Sequence, residues 1–148
     1  MNHSHKLNKL IAVLLISGLF LAACSGTGTP APAGSNLVGK TWLWQKTEFN
    51  GGKDIPVLLP AAYTLQFIAD GKVNVAADCN SGSGSYVVTN NVDLTIRIDT
   101  LTRAVCPAGS LSDEYINELN DTGSYTIERN GELVLALKSG AGMRFKAQ

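Results

Sequence analysis

From residue 37 onward, short runs of alternating apolar and polar positions recur, each bounded by Gly, Asn, Asp or Pro. Thr41-Trp42-Leu43-Trp44-Gln45 is aromatic-rich and predicts a first strand. Asn50-Gly51-Gly52 breaks it, and Ile55-Pro56-Val57-Leu58-Leu59-Pro60 reads as a loop or edge segment held by two prolines. Tyr63-Thr64-Leu65-Gln66-Phe67 alternates with period two, as a half-buried strand does. Asp70-Gly71 predicts a hairpin turn, from which Lys72–Ala76 returns. Ser85–Val88 and Leu94–Ile98 predict two further strands around Asn90-Asn91. The period then changes. Leu111, Tyr115, Ile116 and Leu119 share one side of a helix over 112–120, with Ser110 as its cap and Asp113 three residues on. Ser124–Glu128 and Leu133–Leu137 flank Asn130-Gly131, which predicts a type I′ turn, and Met143–Phe145 closes the series. The sum is a mainly β (α+β) domain: a small antiparallel, barrel-like sheet of about seven to eight strands with one packed helix.

The first 36 residues break this pattern. Residues 10–23 are apolar apart from Ser17 and follow Lys6 and Lys9. Fourteen helical residues span about 21 Å, short of a hydrocarbon core of about 30 Å. A basic start, a short apolar run and small residues at its end predict a secretory signal. The run ends Leu21-Ala22-Ala23-Cys24, which resembles the bacterial lipobox. That resemblance implies cleavage before Cys24 and a diacylated Cys24 as the first mature residue; the alternative is an ordinary signal cut nearby, with Cys24 free. Ser25, where Asp favours inner-membrane retention, implies the outer membrane. Residues 25–36 are rich in Gly, Ser, Thr, Pro and Ala and read as a flexible tether. The expected organisation is a signal (1–23), a lipidated Cys24 with its tether (24–36) and a domain (37–148). The expected location is the bacterial envelope, anchored at the outer membrane with the domain in the periplasm.

Composition narrows the function. A chain of 148 residues holds one domain, and 45% hydrophobic with 16% charged residues excludes a disordered polyelectrolyte. Twelve basic against 12 acidic residues give no electrostatic footprint for nucleic acid. Removing the signal takes away Lys6, Lys9, His3 and His5, which leaves 10 basic and 12 acidic residues and no histidine. A Ser-His-Asp or Cys-His apparatus, a His-ligated zinc and a His proton shuttle are thereby excluded from the mature chain. No Walker-type loop, no G-x-G-x-x-G after a strand and no S-x-x-K spacing occurs. The expectation is a non-enzymatic protein without cofactor or metal.

Cys79 and Cys106 are an even pair in an oxidising compartment, and their structural reading is a disulfide. It would close a loop of 28 residues, worth about 3.6 kcal/mol in loop entropy. The functional reading is a redox or metal-binding pair. The 26 intervening residues argue against C-x-x-C redox chemistry, and two thiolates without histidine make a poor zinc site even with Asp78 added. Ser81-Gly82-Ser83-Gly84-Ser85 reads as a bulge or turn beside the disulfide rather than a phosphate nest, and Asn80 as a bond to the turn backbone. Arg103 reads as packed over the sheet and paired with Asp78 or Asp99, or else as a contact for an acidic partner. Trp42 and Trp44 read as core or barrel-mouth residues, with ligand stacking as the alternative. Asp113, Glu114 and Glu118 read as a solvated helix face.

Two clusters, Asp78–Tyr86 and Leu101–Pro107, together resemble the META domain, the family that includes the HslJ-like heat-shock lipoproteins. The family pattern is Gly-Cys-Asn, a Gly-x-Tyr, then Thr-Arg-x-x-Cys followed by a helix. Cys79, Asn80, Gly84, Tyr86, Thr102, Arg103 and Cys106 fit it, as do Gly39-Lys40-Thr41-Trp42, Leu65-x-Phe67 with Asp70-Gly71, and Leu133-x-Leu135 with Phe145. Asp78 departs from the usual Gly, and Gly82 stands where an aromatic is common. The resemblance implies a small β-rich domain on envelope lipoproteins linked to stress or antibiotic tolerance, with no established enzymatic activity. The expected function is a membrane-anchored interaction module for stress tolerance. Its contact with an unknown envelope protein would be a sheet edge or the loop carrying Ile55, Leu58 and Leu59. The rivals are an inhibitor of an exported hydrolase acting through Ile55–Pro60, and a small-ligand binder using a barrel mouth lined by Trp42 or Trp44.

Overall fold

A computed structural model describes residues 33–148; the expected signal, Cys24 and most of the tether lie outside the described residues. In chain order the elements are β1 (Thr41–Glu48), β2 (Ile55–Pro56), β3 (Tyr63–Ile68), β4 (Lys72–Ala77), β5 (Asn80–Thr89), β6 (Asp93–Leu101), α1 (Ser112–Asn120), β7 (Thr122–Ile127), β8 (Leu133–Leu137) and β9 (Gly142–Ala147). The strands form one nine-stranded antiparallel sheet in the order β2-β1-β3-β4-β5-β6-β7-β8-β9, and β1 pairs again with β9. The arrangement is therefore ring-like, with β2 a two-residue appendage on β1.

Strand directions give the ring two ends. The start of β1 and the turns after β3, β5 and β7 share one, here the hairpin end. The turn after β4 and the segment between β6 and α1 share the other, here the disulfide end. The ring is thinnest between β6 and β7, which share a single register pair, Asp93 with Ser124. Helix α1 lies in the connection across this seam, and the Asn120 side chain accepts the Ile98 backbone N–H at 2.8 Å, as a neighbouring strand would.

Inward positions supply the core. Tyr63, Leu65 and Phe67 on β3, Val73, Val75 and Ala77 on β4, and Leu133, Leu135 and Leu137 on β8 are buried at the predicted period of two. Tyr115 and Leu119 of α1 are buried with them, and Leu111 and Ile116 pack against this core. Trp42 and Trp44 are completely buried, which removes both from the set of expected partner contacts and from any barrel mouth. Their indole N–H groups are satisfied inside, by the Leu37 carbonyl at 3.1 Å and the Thr47 hydroxyl at 3.2 Å. Trp44 also stacks on Tyr115 and meets Tyr63 edge-on.

On the outer face Arg144 of β9 donates to Glu48 at 2.7 Å and to Glu128 at 3.0 Å. Glu48 is held below its usual carboxylate range chiefly by a hydrogen bond from Lys46, then by Arg144. Among the described residues no helix is long and apolar enough to cross a membrane.

Three local expectations are corrected. Ser110 does not cap α1 in the expected way: the N-cap position is Leu111, which has no capping side chain, and Ser110 Oγ takes only the Ser112 N–H, at 3.3 Å. The Tyr63 hydroxyl accepts the Leu111 N–H at 2.8 Å instead. At Asn130-Gly131 only Gly131 has positive φ, and the Gly131 N–H bonds the Glu128 carbonyl. The turn is thus centred on Arg129 and Asn130 with a left-handed glycine after it, not type I′. The type I′ signature falls on Asp70-Gly71 and Asn90-Asn91, where both residues have positive φ. Finally, of the bulge or turn expected at Ser81–Ser85 the turn is absent, while the pairing with β6 does shift register at Ser83 and Gly84. The segment is the first half of β5, paired with β4 on one side and β6 on the other.

Candidate functional site

The resembling clusters meet at the disulfide end. Cys79 follows Asp78 in the two-residue link between β4 and β5, and Asp78 adopts φ +58, a left-handed conformation that glycine takes without cost. That conformation gives a physical reason for a glycine at this place in the family pattern. Cys79 is bonded to Cys106, with Cα atoms 5.4 Å apart. The pair is a disulfide in this structure, as the structural reading of the cysteines expected.

Asn80, next in sequence, is buried and ties the two clusters together. Its Oδ1 accepts the Ala104 N–H at 2.8 Å and the Thr102 hydroxyl at 3.1 Å. Its Nδ2 donates to the Ala104 carbonyl at 3.3 Å and to the Ser112 hydroxyl at 3.4 Å. One side-chain amide therefore pairs with both backbone groups of Ala104, as a strand neighbour would. It does this for a segment, 102–111, that has no regular structure before α1. The expected bond to its own turn is replaced by this clamp. The Thr102 hydroxyl also accepts the Ser81 N–H at 3.0 Å. Asn80→Ala is expected to lower stability by about 2 kcal/mol, read from chemical denaturation. A cost near zero would show that the clamp is incidental.

The other motif residues have separate jobs. Gly84 faces β6 across a bulge, described below. The Tyr86 ring meets Phe67 edge-on at 5.0 Å, and its hydroxyl donates to the Ile68 carbonyl at 3.3 Å. Arg103 is exposed and, among the described residues, makes no ion pair; Asp99 is paired with Arg97 instead. The expected pairing of Arg103 with Asp78 or Asp99 is thus corrected. Arg103 projects at the rim of a polar cleft of about 510 Å³ that also takes in Asp99, Thr100 and Asp113.

A second cleft at this end is apolar. Its volume is about 360 Å³, and it lies between the segment Ile55–Ala62 and the segment Pro107–Leu111. Ile55 is half-buried in β2, while Leu58 and Leu59 stand 88% and 72% exposed at its edge. The loop bearing them is anchored. Val57 is buried, its N–H bonds the Gln45 carbonyl at 3.0 Å, and the Ala62 N–H bonds the Leu59 carbonyl at 2.9 Å.

One carboxylate departs from expectation. Glu118 is not on a solvated face: it is half-buried and accepts the Thr47 hydroxyl at 2.6 Å, completing a chain Trp44–Thr47–Glu118 from core to helix. Burial pushes its carboxyl above the usual range; the Thr47 bond opposes this, and Glu114 and Asp121 reinforce it. A raised native pKa means that the folded state keeps a proton the unfolded state has released. This group's contribution is therefore greatest in acid, and stability falls as pH rises from the ordinary carboxylate value through the raised one. Glu118→Gln keeps an acceptor for Thr47 and is expected to raise the neutral-pH melting temperature relative to its value in acid. An unchanged pH profile would refute this. The one sequence signal was position: Glu118 sits between Tyr115 and Leu119 on the inward arc of α1.

Among the described residues no three His, Cys, Asp or Glu side chains gather as a metal ion requires. No curated protein matches the chain. Two solved structures share the fold. One is a protein from Burkholderia xenovorans solved by NMR, at 19% identity and TM-score 0.60, covering 99% of each chain. The other is a DUF4847 family protein from Bacteroides vulgatus, at 15% identity and TM-score 0.54, covering 74% of this chain and 92% of that one. Residues 35–148 match the META domain, which spans the whole ring and both halves of the Asn80 clamp, and the chain belongs to that family.

Proposed function

We propose that this META domain is a non-enzymatic interaction module of the bacterial envelope, anchored through lipidated Cys24 and acting in stress tolerance. It would hold an envelope protein at its disulfide end. The observation that carries this reading is the pair Leu58 and Leu59, largely exposed on an anchored loop beside an apolar cleft. Two exposed leucines on a pinned backbone lose little conformational freedom on binding, and their burial contributes about 1.5–3 kcal/mol each. The disulfide and the Asn80 clamp hold the far wall of the same cleft.

Leu58→Asp tests the reading by in-cell crosslinking and recovery from washed envelopes. Capture of the dominant partner is expected to be lost. The melting temperature is expected to match that of the wild type, because the side chain is largely exposed at the edge of the cleft. Undiminished capture would overturn the contact. The anchored loop is also what favours the inhibitor reading, in which Ile55–Pro60 enters an exported hydrolase. Inhibition of a protease or lysozyme by the wild-type chain, lost in Leu58→Asp, would identify the partner as an enzyme.

A further inference from the structure

The hairpin end carries its own apolar surface. Val87 on the outer face of β5 is 60% exposed, Val92 in the turn after β5 is 52% exposed, and Ile68 at the end of β3 is also exposed. A groove of about 680 Å³ runs beside them, lined among others by Val38, Ala69, Val87 and Val88. Ala33, the first described residue, lines the same groove, so the chain enters the domain at this apolar end. The segment after Ala33 is fixed there. Asn36 accepts the Tyr125 hydroxyl at 3.2 Å, Leu37 is buried and holds the Trp42 indole, and Val38 bridges to Phe67.

We infer that the hairpin end docks on the lipid surface of the membrane that holds Cys24, with Val87, Val92 and Ile68 in the headgroup boundary and the disulfide end facing away. This rests on the anchor in the proposed function. The chain's own length selects the occupant. Nine Cα-to-Cα steps separate Cys24 from Ala33 and reach at most about 32 Å fully extended. The ten residues of β5 that run between the ends likewise make nine such steps and span about 30 Å. Turning the disulfide end to the bilayer would draw that link out nearly to its full reach, whereas the hairpin end lies at the bilayer with the link slack. The acyl chains supply the affinity, and the apolar end supplies orientation. Asp70 and Lys72, of opposite sign, border the patch, so the docking is apolar and insensitive to salt.

The test uses the full lipidated chain, purified from envelopes and placed in vesicles of phosphatidylethanolamine and phosphatidylglycerol. With Cys24 acylated and Cys79 bonded to Cys106, a cysteine introduced by Val87→Cys is the single free thiol. It is labelled with an environment-sensitive fluorophore, as are Val92→Cys and, at the opposite end, Leu58→Cys. The expected result is a blue shift and loss of iodide quenching at 87 and 92 but not at 58, unchanged by added salt. A chain that floats with the vesicles while all three labels stay equally wet overturns the docking and leaves the anchor standing. A chain that does not float overturns the anchor and the docking with it.

Discussion

Gly84→Ala is expected to cost the domain about 3 kcal/mol or more, with a lower level of folded protein in the cell as its sign. A Cβ built on Gly84 stands 1.8 Å from the Arg97 carbonyl oxygen, and one on Gly82 stands 2.4 Å from that of Thr100. Both obstacles are backbone, so no rotamer change relieves them. The cause is a register shift: Ser83 pairs with Thr100 and Gly84 with Ile98, which leaves Asp99 as the extra residue of a bulge that presses β6 onto β5. Gly142→Ala is the control, since its Cβ would meet nothing nearer than 3.9 Å and its cost is expected within about 0.5 kcal/mol. Equal melting temperatures for the two variants would show that β6 yields freely at the bulge.

Opening the disulfide is the second large effect. Cys106→Ser, or reduction of the wild type, is expected to remove about 3.6 kcal/mol, a large share of the roughly 5–15 kcal/mol typical of a whole domain. The loss should read as a lower urea midpoint with a steeper slope, because the unlinked denatured chain exposes more surface. It should also be uneven in space. The segment 102–111 has no regular structure and is held by the disulfide and the Asn80 amide, so its amide exchange should rise before that of β3 or β8. Uniform acceleration everywhere would mean that the bond acts on the unfolded chain alone. Sensitivity confined to 102–111, with the midpoint unmoved, would mean that it acts only locally.

What could be read from the sequence tracks where side chains carried the signal. Tyr63–Phe67 alternates because its inward residues are large, and the helix at 112–120 declares itself through Tyr115 and Leu119. The first half of β5 is hidden in the sequence for the opposite reason: its inward positions, Gly82 and Gly84, have no side chain, so the alternation reads as a bulge or turn and not as continuous strand. Its cause lies on β6, in a bulge that no local window of β5 contains. Asn80 was recognisable by resemblance, but its partners Ala104 and Ser112 lie 24 and 32 residues away, beyond any spacing argument. Trp42 and Trp44 were left open between core and mouth because burial depends on the ring closing around them. Leu58 and Leu59 were legible as exposed since the flanking prolines exclude a central strand.

The pairing of β1 with β9 has a consequence for the timing of folding. Trp42 lies opposite Ala147, and the Gln148 N–H bonds the Thr41 carbonyl. Among the described strands, the first in chain order therefore waits for the last. A chain still emerging from a ribosome can form the β3–β4 and β5–β6 hairpins but has no partner for that edge of β1. The ring stays open until β9 arrives. A protein built this way keeps one edge of β1 bare for as long as synthesis takes, and closes only once β9 is made.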